Sequence, residues 1–247
     1  MQGRFFVFAL KGLRGCEIAT LTYCACFSYH GYMRIVNFGR GSSRYEFFNA
    51  ALFIILFNVG IFLVFSISSR YMQARILQYF ALIPGLVRYG YVWQLVTYMF
   101  LHGGMSHLFF NMLGLFFFGI QVERYMGSRE FLIFYFVCGI AAGLFSFIAY
   151  VLSESWLVVL IGASGAIYGV LLAFAAFFPR AEIYVFGIIP VRAPILVLAY
   201  TGIEIFNHLF GTNGGVAHLT HLAGFGAAFV YLLLRYRINA LKVFFGR

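Results

Sequence analysis

Four polar residues that could take part in catalysis lie in otherwise apolar stretches of the sequence. Ser164 stands in a run of small residues, and His221 lies in a later apolar stretch. His107 and Asn111 are four residues apart, so they would share one face of a helix and could point at a common target. Histidine can take and return a proton near neutral pH, which is what a serine nucleophile needs from a partner.

Each of these residues also has an ordinary structural interpretation. A serine in a membrane helix usually bonds back to the carbonyl one turn earlier, so Ser164 taken alone favours a packing role. The pair of His107 and Asn111 could be a polar contact between helices, worth about 1 kcal/mol or less. Spacing within one helix does not decide between these readings.

Small residues indicate which helices approach each other closely. Gly165 stands beside Ser164, while Gly224 and Ala228 continue the helical face of His221 at spacings of three and seven residues. Small side chains let two membrane helices come into close contact. Such a contact would bring Ser164 and His221 within hydrogen-bond reach.

A metal site is the competing interpretation of the histidines. His218 and His221 are three residues apart, but no acidic or thiolate ligand stands at local spacing and no His-Glu-x-x-His pattern occurs. A metal site is therefore the weaker interpretation. Glu204 is the one carboxylate expected inside the membrane near these groups; this makes it a functional candidate, although it could also reach water. Its role stays open.

The composition is that of a membrane protein with several spans. Of 247 residues, 63% are hydrophobic and only 10% are charged, far from the shares of a soluble domain. The net charge of +10 is spread over short segments between apolar runs. This is the pattern of topology signals rather than of a nucleic-acid interface, and we predict no nucleic-acid partner.

Six apolar stretches are long enough to cross a bilayer, which takes about 20 residues per helix. We therefore predict an all-α membrane protein with a six-helix transmembrane bundle, its spans at about 47–67, 104–122, 131–152, 156–178, 183–206 and 216–234. The interval 68–103 is an aromatic, amphipathic loop suited to the membrane interface.

The basic residues predict the orientation of these helices. Thirteen of the 17 Lys and Arg fall on the inner side if the N-terminus is inside, three fall outside, and Arg192 lies within the fifth stretch near its inner end. We predict a basic cytoplasmic tail over residues 1–45, a transmembrane domain over 46–236 and a cytoplasmic C-terminal tail over 237–247. Met33 is a plausible alternative start.

This orientation brings the polar residues into one layer. The second, fourth and sixth helices would all enter from the outer face, with their polar residues near that end. Ser164 stands about eight residues into its stretch, or roughly 12 Å below the outer boundary at 1.5 Å per residue. A water-accessible cavity opening outward is then required, since hydrocarbon would leave these groups without partners.

Three motifs, in this order on the second, fourth and sixth stretches, resemble the rhomboid family of intramembrane serine proteases. They are His102-x4-His107-x3-Asn111, Gly162-x-Ser164-Gly165-x2-Tyr168-Gly169 and His221-x2-Gly224-x3-Ala228. The resemblance covers about residues 47–236. It departs from the family at Trp93-Gln94, where the family often has Trp-Arg, and at Ala228, where it has glycine.

The resemblance implies a role for each motif residue. Ser164 would be the nucleophile and His221 its general base, a dyad rather than a triad. His107, Asn111 and the backbone N–H of Ser164 would form the oxyanion hole. Supporting roles would fall to Tyr168 against the His221 ring, to Gly162 beside the substrate backbone, to Gly165 and Gly224 at the helix contact, and to His102 in the entering loop.

The implied activity is hydrolysis of a peptide bond in or near the transmembrane segment of a single-span membrane protein. We expect it in the lipid bilayer of a bacterial cytoplasmic membrane, with the site opening to the extracytoplasmic side. One alternative is a rhomboid-like protein that sorts membrane clients without cutting them, against which the presence of both Ser164 and His221 argues. Another is a transporter with a His–Glu204 proton relay, which the grouping of polar residues at one end disfavours.

Overall fold

The computed structural model describes residues 48–185, 188–210 and 215–246. The predicted basic tail, residues 1–45, and the alternative start at Met33 lie outside this described part. The helices are α1 (Ala50–Ile67), α2 (Arg70–Phe80), α3 (Pro84–Arg88), α4 (Gln94–Thr97), α5 (Met105–Gly114), α6 (Ile120–Met126), α7 (Ser128–Leu152), α8 (Ser164–Phe177), α9 (Ala193–Phe210), α10 (Gly215–Tyr231) and α11 (Ala240–Phe245).

Three short turns and one hairpin complete the fold. A 3₁₀ turn follows α4, and π-helical turns join α5 to α6 and extend α10; they span Tyr98–Phe100, Leu115–Gly119 and Leu232–Tyr236. The antiparallel strands β1 (Glu182–Val185) and β2 (Ile189–Arg192) precede α9, and Glu182 pairs with Arg192 in their register.

Four helical segments of the described part are long and apolar enough to cross a bilayer: Ala50–Ile67, Met105–Met126, Ser128–Leu152 and His218–Tyr236. The apolar segments Ser164–Phe177 and Ala193–Phe206 are shorter. On α1, Phe53 and Leu56 are 64% and 67% exposed, which suits a lipid-facing surface. The predicted helical membrane protein is confirmed, while the number of six spans stays a prediction.

The fourth stretch was expected to be helical from about residue 156, but α8 begins only at Ser164. The preceding chain is extended and pairs with the loop before α5. Leu160 and Leu82 exchange two backbone hydrogen bonds of 2.9 and 3.0 Å, and the N–H of Gly162 donates to the carbonyl of Tyr98. Gly162 has a φ of +126°, which a helix does not allow. Ser164 is thus the first residue of its helix rather than a residue two turns inside it.

The fifth stretch also starts later than its hydrophobicity suggests. Residues 183–185 and 189–192, expected in the helix, belong to the strands β1 and β2, and α9 begins at Ala193. Pro190 lies in β2, and Pro194 lies in the first turn of α9. A proline lacks the N–H that a helix interior needs but is tolerated in a first turn, which accounts for the boundary.

The centre of the bundle is α8, which packs against α7, α9 and α10. Every residue from Gly165 to Ala176 except Tyr168 is buried. Because α8 is enclosed in this way, a side chain at its N-terminal end can be met by residues from several helices.

The interfacial loop, residues 68–103, is held together by the side chain of Gln94. Gln94 is completely buried; its side-chain N–H donates to the carbonyl of Gln78 at 2.8 Å, and its oxygen accepts from the N–H of Ile83 at 3.0 Å. An amide side chain both donates and accepts hydrogen bonds, so it can join two segments of the loop in this way.

The C-terminal segment 237–247, expected to be a tail, contains the short helix α11. Asn239 caps this helix by accepting from the N–H of Lys242 at 3.2 Å, and Ala240 is buried. Part of the segment therefore packs on the bundle.

Candidate active site

Ser164 and His221 lie in hydrogen-bond contact although 57 residues separate them in the chain. Nε2 of His221, on α10, is 2.8 Å from Oγ of Ser164, at the start of α8. The two helices approach closely because Gly224 lies against Gly165: a Cβ on Gly224 would clash with the carbonyl oxygen of Gly165. The small residues are thus part of the geometry of the site.

The ring of Tyr168 holds one face of the His221 imidazole. The two rings are stacked, with centroids 4.3 Å apart and planes at 9°. Tyr168 reaches this position because it follows Ser164 by four residues, one helical turn further along α8. Phe225 of α10 also packs edge-on against the Tyr168 ring, with centroids 5.0 Å apart.

Glu204, whose role the sequence left open, lies against the far side of the same histidine. Its Oε1 is 2.9 Å from Nδ1 of His221 and accepts from the hydroxyl of Tyr168, while its Oε2 is 2.6 Å from Nδ1 of His218. The carboxylate of Glu204, on α9, is thus linked to two histidines of α10. Its only sequence signal was an acidic residue inside an apolar stretch.

The same three residues are the one cluster in the described part of the chain that could hold a metal ion. The ligand atoms of Glu204, His218 and His221 lie within 4.8 Å of one another. The acidic ligand missing at local spacing is therefore supplied from α9. Within the cluster, Nδ1 of each histidine is at hydrogen-bond distance from one oxygen of Glu204.

A cavity of about 180 Å³ opens beside Ser164. It is lined by Tyr98, His107, Leu160, Ile161, Gly162, Ser164, Thr220 and His221. The ring of His107 lies 2.8 Å from where a Cβ on Gly162 would stand, so only glycine leaves this wall open. Tyr98 and Thr220 had no distinguishing signal in the sequence.

Asn111 does not line this cavity. It is 7% exposed, and its side-chain N–H donates to the carbonyl of His107, one turn earlier on α5, at 2.8 Å. Its amide is therefore directed along its own helix, although it shares a helical face with His107 as expected.

His102 lies buried behind His107, just before α5. It is 3% exposed, and the two rings meet edge to face with centroids 5.1 Å apart. Burial, together with the neighbouring His107, lowers the pKa of His102 to about 4. His102 is thus neutral at physiological pH and fills the space behind the cavity wall.

Comparison with known proteins gives a consistent result. The model of the rhomboid domain matches residues 89–238. The chain is 34% identical over 143 residues to the rhomboid protease GluP of Bacillus subtilis, covering 58% of this chain and 23% of GluP. It is 31% identical over 138 residues to RHOMBOID-like protein 4 of Arabidopsis thaliana, covering 56% of this chain and 32% of that protein. It is 27% identical over 222 residues to the rhomboid protease AarA of Providencia stuartii, covering 78% of this chain and 75% of AarA. The chain therefore spans a third or less of the length of GluP and of the plant protein.

Proposed function

Because the chain belongs to the rhomboid family, as its motifs predicted, we propose that it is an intramembrane serine endopeptidase. Its substrates would be single-span membrane proteins, cut in or near their transmembrane segments. The observation that carries the proposal is the 2.8 Å contact between Ser164 Oγ and His221 Nε2 on the wall of a cavity. A serine and a histidine at this distance can act as nucleophile and general base.

The reaction follows from these two side chains. Ser164 attacks the substrate carbonyl carbon while its hydroxyl proton passes to Nε2 of His221. The imidazolium then gives that proton to the leaving amine nitrogen, and the C–N bond breaks. Water, activated by the same histidine, releases the acyl group from Ser164. This chemistry needs neither a metal nor an organic cofactor.

The oxyanion of the tetrahedral intermediate would be bound by His107, Asn111 and the backbone N–H of Ser164. As the first residue of α8, Ser164 has an N–H that no helical carbonyl takes up, at the positive end of the helix dipole. His107 lines the cavity directly. Asn111 donates one amide N–H to the His107 carbonyl, and its second N–H would contribute to the oxyanion hole.

The remaining motif residues shape and support the site. Tyr168 would hold the His221 ring by stacking, and Gly162 would leave room for the substrate backbone. Gly165 and Gly224 would set the approach of α8 and α10. His102 would brace the loop behind His107.

We also propose that the short helices α8 and α9 cross the bilayer, giving six spans. Both termini would then lie in the cytoplasm, and the cavity would open to the extracytoplasmic side of a bacterial cytoplasmic membrane. The excess of basic residues on the inner side supports this orientation. The chain would need no nucleic-acid partner.

The proposal is tested with purified protein in detergent and a labelled single-span substrate. We expect cleavage by the wild type, and a loss of at least about 10³-fold in Ser164→Ala and in His221→Ala, as when a nucleophile or base is removed from a serine protease. A fluorophosphonate should label the wild type and not Ser164→Ala. Ser153→Ala, which changes an exposed serine between α7 and α8, is the matched control.

Two outcomes contradict the proposal. The first is undiminished cleavage by either variant. The second is a wild type that captures single-span clients without cutting any of them, which would indicate a sorting protein of the same fold.

A further inference from the structure

A hydrogen-bonded row of three side chains runs through the site, one from each of three helices. Ser164 on α8 contacts Nε2 of His221 on α10 at 2.8 Å, and Nδ1 of the same ring contacts Oε1 of Glu204 on α9 at 2.9 Å. Glu204 is 5% exposed, so water competes little for its oxygens. The carboxylate stands at the ring nitrogen that the proposed chemistry leaves unused.

We propose that Glu204 is the positioning residue of His221, so that the enzyme works with a Ser–His–Glu row rather than with a serine and a histidine alone. The proposal rests on the serine protease function proposed above and adds a residue that acts through the base.

Hydrogen-bond donors determine the tautomer of His221. An ionised carboxylate has no proton to donate, so Nδ1 of His221 must carry the hydrogen of the contact with Glu204. A neutral imidazole has only one N–H, and Nε2 is therefore bare. A bare Nε2 accepts the hydroxyl proton of Ser164, which is the arrangement that a general base requires.

Glu204 also stabilises the charge that forms during the reaction. When the proton of Ser164 passes to Nε2, the imidazole becomes an imidazolium, with its second N–H still directed at Glu204. The attraction between this cation and the carboxylate is stronger in a buried site than in water. The proton stays on the imidazolium until the leaving amine takes it, and Glu204 itself is not protonated.

Besides His221, two further side chains hold the carboxylate of Glu204 in place. Its Oε1 also accepts from the hydroxyl of Tyr168, and its Oε2 is 2.6 Å from Nδ1 of His218. Three donors from two helices therefore surround two oxygens, which have lone pairs enough for all of them. The orientation of Glu204 is thus set before the serine reacts.

Other titratable groups around this row come from several helices. His107 of α5 interacts with His221 from the cavity side, and His218 lies one turn before it on α10. Tyr168 stacks on the imidazole, and Tyr200 of α9 packs edge-on against Tyr168 at 6.1 Å. None of these groups has a carboxylate. Only the replacement of Glu204 therefore removes a negative charge from the surroundings of His221.

The test compares Glu204→Gln with the wild type in the cleavage assay. Glutamine keeps the size of the side chain but removes the charge, and its amide can direct an N–H toward Nδ1, which favours the wrong tautomer. We expect kcat to fall at least about 100-fold with KM changed by less than about threefold, since the third residue of a serine protease acts on the chemical step.

The controls separate positioning from folding. Glu154→Gln removes a carboxylate from an exposed turn near the same end of the bundle and should cleave as the wild type does. Glu204→Asp keeps the charge and should recover part of kcat. A Glu204→Gln enzyme with wild-type kcat contradicts the proposal while leaving the protease function intact, provided that Ser164→Ala is inactive. A wild type that neither cleaves nor takes the fluorophosphonate contradicts both.

A measurement of the tautomer in the wild type does not depend on cleavage activity. Histidine labelled with ¹⁵N reports by NMR which ring nitrogen of His221 carries the hydrogen, with His221→Gln identifying the signals. The proposal requires hydrogen on Nδ1 and a bare Nε2 near neutral pH, and the opposite tautomer overturns it. Loss of cleavage on treatment with EDTA and its return on adding Zn²⁺ would also overturn it, because Glu204, His218 and His221 would then serve a metal.

Discussion

Buried polar side chains that lack hydrogen-bond partners affect the stability of this protein. His102 is the clearest case, because both of its ring nitrogens are buried and neither has a hydrogen-bond partner in the described structure. An imidazole in such a place is tolerated as a neutral ring and penalised as a cation. It therefore links the stability of the loop before α5 to pH.

His102 predicts a loss of stability in acid. Its pKa in the folded protein is about 4, against 6.5 for a free histidine, so between these values the unfolded chain binds a proton that the folded one does not. Stability therefore rises with pH over this window and is lost as the pH falls from 6.5 towards 4. We expect the wild type to lose about 2 kcal/mol more than His102→Gln between pH 7.5 and pH 5, from the proton linkage of that shift. Thermal melts in detergent at both pH values measure this, and equal losses in the two proteins would contradict the role of His102.

At the scale of elements, the contact between α8 and α10 decides whether a site exists at all. The backbone of Gly165 on α8 lies where a side chain at position 224 of α10 would be. Close approach of backbones, rather than bulky side-chain packing, sets the distance between these helices. The distance between α8 and α10 therefore sets the distance between Ser164 and His221.

Gly224→Ala should therefore disrupt the site from a distance. The new methyl group forces α8 and α10 apart, and overpacking of this kind costs about 1–3 kcal/mol. We expect a lower melting temperature and a loss of cleavage of at least about 10-fold, since catalytic geometry tolerates little displacement.

Gly226 supplies the control on the same helix. It is exposed, and a Cβ there would meet no atom within 4 Å. Gly226→Ala should be neutral or stabilise α10 by about 0.5–1 kcal/mol, as alanine does in place of glycine within a helix. Equal losses of melting temperature and of cleavage in Gly224→Ala and Gly226→Ala would contradict the role of the contact between α8 and α10.

At the scale of the whole molecule, a buried carboxylate joins the first helix to the rest of the bundle. Glu123 accepts from the N–H groups of Ala50 and Ala51, at 2.6 and 2.9 Å, and from the hydroxyl of Ser128. An anion is favoured at a helix N-terminus, where the N–H groups lack helical partners. The start of α1 is thereby tied to the junction of α6 and α7, which places these ends at the same side of the membrane.

The proposed orientation predicts which ends a membrane-impermeant thiol reagent can reach. We expect a cysteine introduced at Ser153, between α7 and α8, to react in intact cells, and one at Lys242 in α11 to react only after lysis. The labelling is done in a background without the native cysteines, which are Cys16, Cys24, Cys26 and Cys138. The reverse pattern would show that the termini lie outside.

The sequence by itself determined the class of the protein and its polar centre. Several apolar runs of spanning length indicate a helical membrane protein, because a helix satisfies the hydrogen bonds of its own backbone in lipid. Spacing within one helix, as for His107 and Asn111, is a local property and can be read directly. Small residues beside Ser164 and His221 also pointed to the right pair of helices.

Tertiary structure alone decided which distant groups meet. Hydrophobicity did not reveal that the chain before Ser164 is extended, because its backbone partners come from Leu82 and Tyr98 in another segment. Nor did it place Glu204 against His221, since helical periodicity states which residues share a face but not which faces of separate helices meet. Contacts of this kind depend on the packing of the whole bundle, and in this protein they decide the surroundings of the base.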